Sequence, residues 1–374
     1  MDKLEQYRQA ISPRTALLPM GGLRQMIALV RTLYRLSRLP AYQAEIFRQL
    51  PEIARTDPRH DAVMMGYDFH WTAKGPQLIE VNTNAGGWFL ALLAQFGSSV
   101  MDPAALPRRM RARLLGQFSA ELRRWSAGRL ERPALMAIID EQPEAQFLYG
   151  EMEYFRRLVE AHWRIPLVIV DPGDLEAGAQ GVFHRGRRIE LIYNRHCDFY
   201  LQGEAMAGIR AACRQRRLCL TPHPFSYGLL ADKRRLALWS DPQKLRSLGV
   251  SEADMGLLGA LVPESRLLRD LDREQLWRQR GDWVFKPVDC FGSRGVLLGR
   301  KITRGRYLAL APEETLVQRW VPPSLTGDAE DAMKTDFRLY VYGQRVLGVA
   351  ARLYQGQVTN LRTPGGGFAP VRLV

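Results

Sequence analysis

Apolar and polar residues follow two different rhythms along this chain, and the changes of rhythm divide it into parts. In residues 22–57 and again in 104–130, apolar residues recur every three or four positions, which predicts helices. Residues 62–83 instead predict two strands joined by a turn at Lys74–Gly75–Pro76. The first part of the chain is therefore expected to combine helices with a pair of strands.

Beyond residue 130 the apolar residues come in short continuous runs. Three runs predict strands and one amphipathic segment predicts a helix: 133–140, 166–172 and 188–201 for the strands, and 144–163 for the helix. Strand, helix and strand in this order predict a small parallel α/β domain over residues 131–228. Its last residues, 220–228, are rich in turn formers and are expected to form the linker that leaves it.

After residue 228 the pattern is mixed again. It predicts a strand, a glycine loop and a strand in 282–299, a strand in 314–323, and a hairpin in 336–354 that turns at Tyr342–Gly343–Gln344. A glycine-rich loop at 357–371 precedes the C-terminus. The expected organisation is thus 1–130, 131–228 and 229–374, and 374 residues suffice for two or three domains with their own cores.

The charge of the chain invites a nucleic-acid partner, but its distribution argues against one. The net charge is +14, and only seven of the 53 basic residues are lysines. The arginines are spread along the chain, without a long basic block or a basic stripe interleaved with aromatic residues. An acidic small substrate that carries phosphates explains the charge equally well.

Cysteines and apolar stretches give expectations about the compartment. The four cysteines form no CxxC pair, which argues against a structural zinc site and a disulfide framework. No stretch of about 18 uncharged apolar residues predicts a membrane span, and the N-terminus lacks the apolar core of a signal peptide. Residues 23–39 suit a helix on a membrane surface or, more commonly, one packed on the domain. A cytoplasmic protein is expected.

One polar pair stands at the end of a predicted strand. Glu80 and Asn82 are two residues apart in the sequence IEVNTNAGG, so both side chains should project from the same face. Oxygen ligands on one face suit a hard cation such as Mg²⁺. A strand that simply ends in a polar turn is the alternative.

A lysine and a glycine loop form a second candidate. Lys286 ends an apolar strand, and Gly292–Ser293–Arg294–Gly295 follows six residues later. Glycines let backbone N–H groups approach phosphate oxygens, and the lysine adds a positive charge. The patterns of a Walker loop, a dinucleotide-binding loop and a protein kinase are absent. A plain hairpin with an exposed lysine remains the alternative.

Two more groups of basic residues stand out. Lys233 follows Asp232 at the start of a predicted helix, where a solvated helix end is the ordinary interpretation. Arg338 and Arg352 lie on apolar strands, and arginine in such a place needs a partner. Phosphate is one suitable partner, since guanidinium binds it through two hydrogen bonds, and a structural ion pair is the other.

Read in order, these motifs resemble the ATP-grasp superfamily. That superfamily normally ends with an aspartate, a dozen residues and E-x-N, but here Asp68, Glu80 and Asn82 stand near the N-terminus. The chain therefore resembles a circularly permuted ATP-grasp protein, similar to eukaryotic-type glutathione synthetase and glutathionylspermidine synthase-like ligases. The implied fold is α+β, a permuted ATP-grasp core with an inserted α/β pre-ATP-grasp domain.

The resemblance implies an ADP-forming ligase that joins a carboxylate to an amine through an acyl phosphate, with ATP and Mg²⁺. It assigns Asp68, Glu80 and Asn82 to the metal, and Lys233, Lys286, Gly292, Ser293, Arg294, Gly295, Gln318, Arg319, Trp320 and Val321 to the nucleotide. It further assigns Arg338 and Arg352 to the transferred phosphate, counts Asn360 and Arg362 with them as catalytic residues, and assigns Asn194, Arg195 and Arg362 to the substrate. The expected partners are a small acid and a small amine, and a homodimer is compatible with the resemblance. A non-catalytic nucleotide-binding module and a phosphotransferase are the alternatives.

Overall fold

The computed structural model describes residues 7–290, 292, 294–328, 330–357, 359–360 and 363–374. Its α-helices are α1 (Met20–Leu36), α2 (Pro40–Phe47), α3 (Glu52–Arg55), α4 (Trp88–Phe96), α5 (Arg108–Trp125), α6 (Tyr149–Trp163), α7 (Ala207–Arg214), α8 (Pro224–Ser226), α9 (Arg234–Trp239), α10 (Pro242–Ser247), α11 (Glu252–Leu261), α12 (Arg273–Arg278) and α13 (Arg304–Leu308). No helix among these residues is both long enough and apolar enough to cross a bilayer.

The strands of the described residues belong to five sheets. They are β1 (Ala16–Leu18), β2 (Met65–Thr72), β3 (Gly75–Asn82), β4 (Met136–Ile139), β5 (Leu167–Val170), β6 (Glu176–Gly178), β7 (Gly181–His184), β8 (Arg187–Ile189), β9 (Leu191–Asn194), β10 (Cys219–Thr221), β11 (Ser265–Leu267), β12 (Trp283–Pro287), β13 (Leu297–Leu298), β14 (Thr315–Arg319), β15 (Ser324–Thr326), β16 (Met333–Tyr342), β17 (Arg345–Tyr354), β18 (Gly367–Ala369) and β19 (Val371–Leu373).

The central sheet joins the two ends of the chain. Its order is β18–β17–β16–β2–β3, and β15 also pairs with β16. Strands β2 and β16 run antiparallel, so Phe69 lies opposite Phe337 and Asp68 lies opposite Arg338. Because neighbouring residues of a strand face opposite sides, the phenylalanines enter the core while the charged pair faces the other way. One face of this sheet is therefore apolar and the other carries charge.

A β-bulge in β3 changes which residues face the core. Asp68 pairs with Glu80 and Phe69 pairs with Leu78, so the register skips Ile79. Pro76 and Leu78 are buried on one side of the bulge and Val81 on the other. The extra residue thus lets Leu78 enter the core while Glu80 stays on the charged face.

Helix α1 covers the apolar face of the central sheet. Its buried residues follow the three-to-four spacing of an amphipathic helix, among them Met26, Leu29, Val30 and Leu33. At Gly22 a Cβ atom would lie 2.2 Å from the Trp71 ring, so only glycine allows this approach of helix to sheet. This packing agrees with the prediction of a helix packed on the domain.

The segment from β4 to β10 forms the expected parallel sheet, in the order β10–β9–β4–β5. Helices α5 and α6 supply the apolar residues of one core beside it, including Phe118 and Phe155. The strand β10 and the small antiparallel sheet β6–β7–β8 were not predicted. The expected linker at 220–228 is buried instead of exposed, because Phe225 and Tyr227 pack into the main core.

A four-stranded antiparallel sheet lies in the last third of the chain, in the order β11–β14–β12–β13. It contains the predicted strands around the glycine loop and the strand that leads to Trp320. The predicted hairpin is also present as β16 and β17, with Gly343 at a positive φ of 57° in its turn.

Replacing Phe69 by alanine tests whether the N-terminal strands are integral to the core. The ring is fully buried opposite Phe337, so we expect Phe69→Ala to lower the free energy of unfolding by about 3–5 kcal/mol. Phe96→Ala is the matched control, since that ring is 46% exposed, and should change stability by about 0.5 kcal/mol or less. Chemical denaturation measures both, and equal effects would contradict this packing.

Candidate active site

Two arginines form ion pairs with one buried aspartate on the charged face of the central sheet. Arg338 donates from Nε to Oδ1 of Asp68 and from Nη2 to Oδ2, both at 2.6 Å. Arg352 Nη2 lies 2.9 Å from the same Oδ2. Burial alone would raise the pKa of Asp68, but the two guanidiniums outweigh it and hold this pKa well below its usual range.

The second arginine continues the network to another strand residue and a loop. Arg352 Nε donates to Oδ1 of Asp336 at 2.6 Å, and the Thr359 hydroxyl donates to Oδ2 of Asp336 at 2.5 Å. The cluster therefore holds two aspartates and two arginines, with charges that balance within it. Both arginines are fixed in place by neighbours on adjacent strands.

Glu80 and Asn82 lie beside this cluster on the same face, as their spacing predicts. Asn82 Nδ2 donates to Oε1 of Glu80 at 3.2 Å and to Oδ2 of Asp68 at 3.3 Å. Glu80 forms no ion pair with the residues that the structure describes. Its carboxylate therefore remains available to a cation.

The third residue predicted for the metal is placed differently. Both carboxylate oxygens of Asp68 accept hydrogen bonds from guanidinium groups, one at Oδ1 and two at Oδ2, which leaves fewer lone pairs than Glu80 has for a cation. Within the described part of the chain, no group of three histidine, cysteine, aspartate or glutamate residues is arranged to hold a metal. Oxygen donors at Glu80 and Asn82 fit Mg²⁺, and Asp68 anchors the two arginines while its assignment to the metal stays a prediction.

Lys286 lies buried at the end of β12 and reaches across to the central sheet. Its Nζ donates to the Ile79 carbonyl at 3.0 Å and to Oε1 of Gln318 at 2.5 Å. The bulge leaves Ile79 outside the regular strand pairing, which frees its carbonyl for this contact. Burial lowers the pKa of Lys286 to about 8.

The glycine loop and Lys233 meet next to Lys286. Gly292 and Gly295 have positive φ angles of 60° and 71°, which suits glycine. Lys233 Nζ donates to the carbonyl of Cys290, at the start of the loop. The Lys233 charge contributes to lowering the pKa of Lys286, so the two ammonium groups are near each other.

Two cavities open beside the charged cluster and Lys286, and they share part of their walls. The smaller, of about 140 Å³, is lined by Lys286 and by the segment from Gln318 to Val321. The larger, of about 670 Å³, is lined by Asn82, Arg338 and Arg294 among others. Glu80, Arg352 and Thr359 line both cavities, so the charged cluster stands at the junction between them.

The larger cavity reaches the carboxyl ends of the parallel strands. Arg195 follows β9 and lines it, with Nη1 at 3.4 Å from Glu151 Oε1. Asp140 follows β4, is nine-tenths buried and also lines the cavity. Burial raises the pKa of Asp140 to about 6. Asn194 was expected here too, but its Oδ1 accepts the His196 N–H instead and it lies outside this cavity.

The remaining predicted residues are placed as follows. Arg319 and Trp320 line the smaller cavity, and each stacks with a neighbouring residue: Arg319 over Trp283 and Arg300 over Trp320. Asn360 is exposed, and its carbonyl accepts from the Thr363 hydroxyl. Ser293 and Arg362 lie outside the described residues, so their assignments stay predictions.

Sequence reasoning missed four residues that contribute to the site. Asp140 ends a predicted strand, and this position could have marked it, since ligands commonly bind at the carboxyl ends of parallel strands. Asp336 opens the predicted hairpin segment 336–354, two residues before Arg338. Glu151 accepts the backbone N–H groups of Gly87 and Phe89 at the start of α4, and neither Glu151 nor Thr359 has a local signal in the sequence.

Replacing Asp68 by asparagine tests the anchoring role. We expect Asp68→Asn to lower the free energy of unfolding by about 3–5 kcal/mol, because two buried guanidiniums lose their shared carboxylate. The folded-state pKa lies below the unfolded value of about 3.9, so this stabilisation is present above pH ~4 and is lost on acidification. Denaturation at several pH values should show parent and variant converging at low pH. Glu80→Gln, which breaks no ion pair, is the control, and equal losses in both variants would contradict the role.

Comparisons with known proteins identify the fold. No protein-family profile and no curated protein sequence matches the chain. A glutathione synthetase-like effector from Globodera pallida, in its apo form, matches 100% of this chain and 96% of its own, with a TM-score of 0.61 and 11% identity. A proposed gamma-glutamylcysteine synthetase from Methylobacillus flagellatus KT matches 91% of this chain and 85% of its own, with a TM-score of 0.52 and 11% identity.

A third structure matches too weakly to support an inference. The ATP-grasp ligase PsnB, in complex with a minimal precursor, Mg and ADP, matches 63% of this chain and 87% of its own at 12% identity, but the TM-score is 0.32. The first two matches span nearly the whole chain, and identities this low speak to the fold alone. The chain thus resembles in fold the glutathione synthetase-like effector and the Methylobacillus protein.

Proposed function

We propose that this protein is an ATP-dependent carboxylate–amine ligase, which forms an amide bond through an acyl phosphate and releases ADP and phosphate. The observation that carries this proposal is the junction of the two cavities at Glu80, Arg352 and Thr359. A nucleotide in the smaller cavity would present its terminal phosphate at that junction. A carboxylate in the larger cavity would meet it there.

The groups that a nucleotide requires lie in the smaller cavity, which Lys286 lines, and beside it, where Gly292 lines the larger cavity and Lys233 contacts Cys290. Lys286 and Lys233 would hold phosphates as point charges, and the backbone around Gly292 and Gly295 would close over them. The segment Gln318–Val321 would flank the adenine. A closed loop excludes water, which would otherwise hydrolyse the acyl phosphate.

Glu80 and Asn82 are the proposed ligands of Mg²⁺. When bound, the ion neutralises phosphate oxygens and so lowers the cost of bringing a carboxylate near them. Asp68 keeps both arginines in position through its hydrogen bonds, and we retain it as the predicted third ligand.

The proposed reaction has two steps, and each step forms one bond and breaks another. A carboxylate oxygen bonds to the terminal phosphorus, and the bond from that phosphorus to ADP breaks. An amine nitrogen then bonds to the acyl carbon, phosphate leaves with the bonding electrons, and the nitrogen loses a proton. Arg338 and Arg352 would stabilise the charge on the phosphate oxygens, since such transfer depends mainly on positioning and electrostatics.

The larger cavity would hold the acid and the amine. Among the residues that the structure describes, Arg195 is the candidate that would bind the substrate carboxylate, because the planar guanidinium can form two hydrogen bonds with a carboxylate. Arg362 is the second candidate, and Asn360 would assist at the transferred phosphate. The neighbouring Asp140 would face the amine, whose positive charge a carboxylate attracts.

The arrangement of the chain supports a circular permutation. The predicted metal-binding strands β2 and β3 come early in the sequence, yet β2 pairs with β16 in a sheet formed otherwise near the C-terminus. We therefore assign residues 1–130 and 229–374 to one ATP-grasp unit, with 131–228 as an inserted pre-ATP-grasp domain. Permutation is physically reasonable because the ends of a folded domain usually lie near each other.

Trapping the activated acid tests the ligase proposal. Purified protein with ATP, Mg²⁺ and a panel of amino acids, short peptides and other small acids should release ADP, and hydroxylamine should convert the acyl phosphate into a hydroxamate. Glu80→Ala should abolish both products while its unfolding curve remains close to that of the parent. ADP release at the parent rate in this variant would reject the metal assignment.

The same assay separates the alternatives. Amine-dependent ADP release with hydroxamate formation supports a ligase. ADP release that yields a stable phosphorylated product and no hydroxamate indicates a phosphotransferase. Binding of ATP without turnover on the whole panel indicates a nucleotide-binding module.

The pKa of Lys286 predicts a pH dependence of ATP binding. The lysine is protonated below about pH 8 in the free protein, and only its ammonium form attracts phosphate. We therefore expect the dissociation constant of ATP to rise between pH 7 and pH 9, as measured by calorimetry at fixed ionic strength. Lys286→Met should bind ATP more weakly and lose this part of the dependence.

Lys74→Met is the matched control for that measurement. Lys74 is an exposed lysine in the turn between β2 and β3, so its loss changes the net charge equally. Its pH profile should follow that of the parent. If the Lys286→Met profile also follows the parent, Lys286 does not contact the phosphates.

A further inference from the structure

A third cavity, apart from the candidate active site, is lined by an excess of basic side chains. It has a volume of about 270 Å³ and lies where α2, α9, α10 and β11 meet. Its basic residues are Arg234, Arg235, Lys244, Arg266 and Arg269, against three carboxylates. None of its lining residues lines either cavity of the candidate active site.

Arg235 is the unusual member of this group. Its residue is 3% exposed, and its Nε atom has no hydrogen-bond partner. Across the described residues, its side chain forms no ion pair. A buried charge is costly unless it is paired, so a buried, unpaired guanidinium on a cavity wall indicates a missing anion.

The nearby carboxylates are all engaged elsewhere. Asp232 accepts from the Tyr200 hydroxyl at 2.7 Å and from Arg234 at 2.9 Å. Glu45 pairs with Lys244 at 2.7 Å and with Arg48 at 3.0 Å.

Asp241 is committed in the same way. It accepts two backbone N–H groups at the start of α10, and its other oxygen lies 3.5 Å from Arg266. Asp270, the third carboxylate of the lining, pairs with Arg269 at 3.5 Å. Each carboxylate of the lining thus forms its ion pair with a basic residue other than Arg235.

We propose that this cavity binds a small tetrahedral oxyanion, phosphate or a phosphate ester, through Arg235 and Arg266. Guanidinium binds such oxygens through paired hydrogen bonds. Lys244 and Arg269 also line the cavity, each beside a carboxylate partner. The volume is several times the 30 Å³ or so that one water occupies in the liquid, so a phosphate fits with bound water or with a small organic group. The proposal is independent of the ligase function.

Thermal unfolding in the presence of inorganic phosphate tests the site, with chloride at equal ionic strength as the reference. We expect phosphate to raise the midpoint of unfolding in a saturable manner, and calorimetry to give the dissociation constant. Both measurements are repeated with Lys286→Met, because phosphate also suits the proposed nucleotide site. Phosphate stabilisation should persist in that variant.

Arg235→Met is the decisive variant. It should raise the dissociation constant of phosphate at least about tenfold, through loss of a charge-assisted contact. In phosphate-free buffer its midpoint should equal or exceed that of the parent, because methionine removes an unpaired buried charge and fills similar space. A purely structural arginine predicts the opposite, a lower midpoint without phosphate.

Two further variants complete the test. Arg306→Met removes an exposed arginine of α13, outside the cavity, and should leave phosphate binding unchanged. Arg266→Gln alters a half-buried arginine of the cavity and should weaken binding even if Arg235→Met does not fold. Equal phosphate binding in the parent and in either cavity variant would overturn the proposal.

The source of the oxyanion is found by comparing inorganic phosphate with phenyl phosphate. Tighter binding of the free ion indicates a phosphate-ion site. Tighter binding of the ester indicates a site for a phosphorylated metabolite. No stabilisation by either compound would overturn the proposal.

Discussion

The ion pairs of Asp68 with Arg338 and Arg352 are the interaction on which the rest of the site depends. The two guanidiniums are buried in a sheet, where each would be strongly unfavourable without a neighbouring negative charge. Asp68 lies on β2 and the arginines lie on β16 and β17, so the same contacts also fix the relative positions of three strands. Positive charge is therefore held in place before any ligand arrives.

The surroundings of this cluster follow from how the strands meet. Lys286 belongs to a different sheet but donates to the Ile79 carbonyl of the central sheet, and Gln318, on the neighbouring strand β14, accepts a second hydrogen bond from the same Nζ. The second sheet is thereby held against the first at one buried polar point. The two cavities both reach the charged cluster, since Glu80, Arg352 and Thr359 line each of them.

Much of this arrangement could be predicted from local patterns. The β2–β3 and β16–β17 hairpins, the parallel strands and the shared face of Glu80 and Asn82 all follow from periodicity and turn residues. The partners of charged residues could not be predicted in the same way. Asp68 and Arg338 are 270 positions apart, and residue spacing gives the face of a side chain but not its neighbour on another strand.

Local sequence patterns also failed to predict which segments rich in polar and turn-forming residues are buried. Residues 220–228 contain the prolines and serine of a linker, yet their aromatic side chains fill the main core. In the sequence, Glu151 looks like any polar residue of an amphipathic helix. Its carboxylate gains two backbone N–H partners only because α4 packs beside it. In both cases tertiary packing outweighed the local composition.

The single extra residue at Ile79 limits how the length of this segment can vary during evolution. On one side of it the even-numbered residues of β3 face the core, and on the other side the odd-numbered ones do. Deleting or inserting one residue here would exchange the two faces for the rest of the strand, placing Val81 in the cavity or Glu80 in the core. Substitutions of similar size can accumulate at Ile79, but a change of length cannot, whereas the exposed turn at Lys74 can tolerate one. We infer that homologous chains will vary in length at that turn and keep a constant count from Leu78 to Asn82.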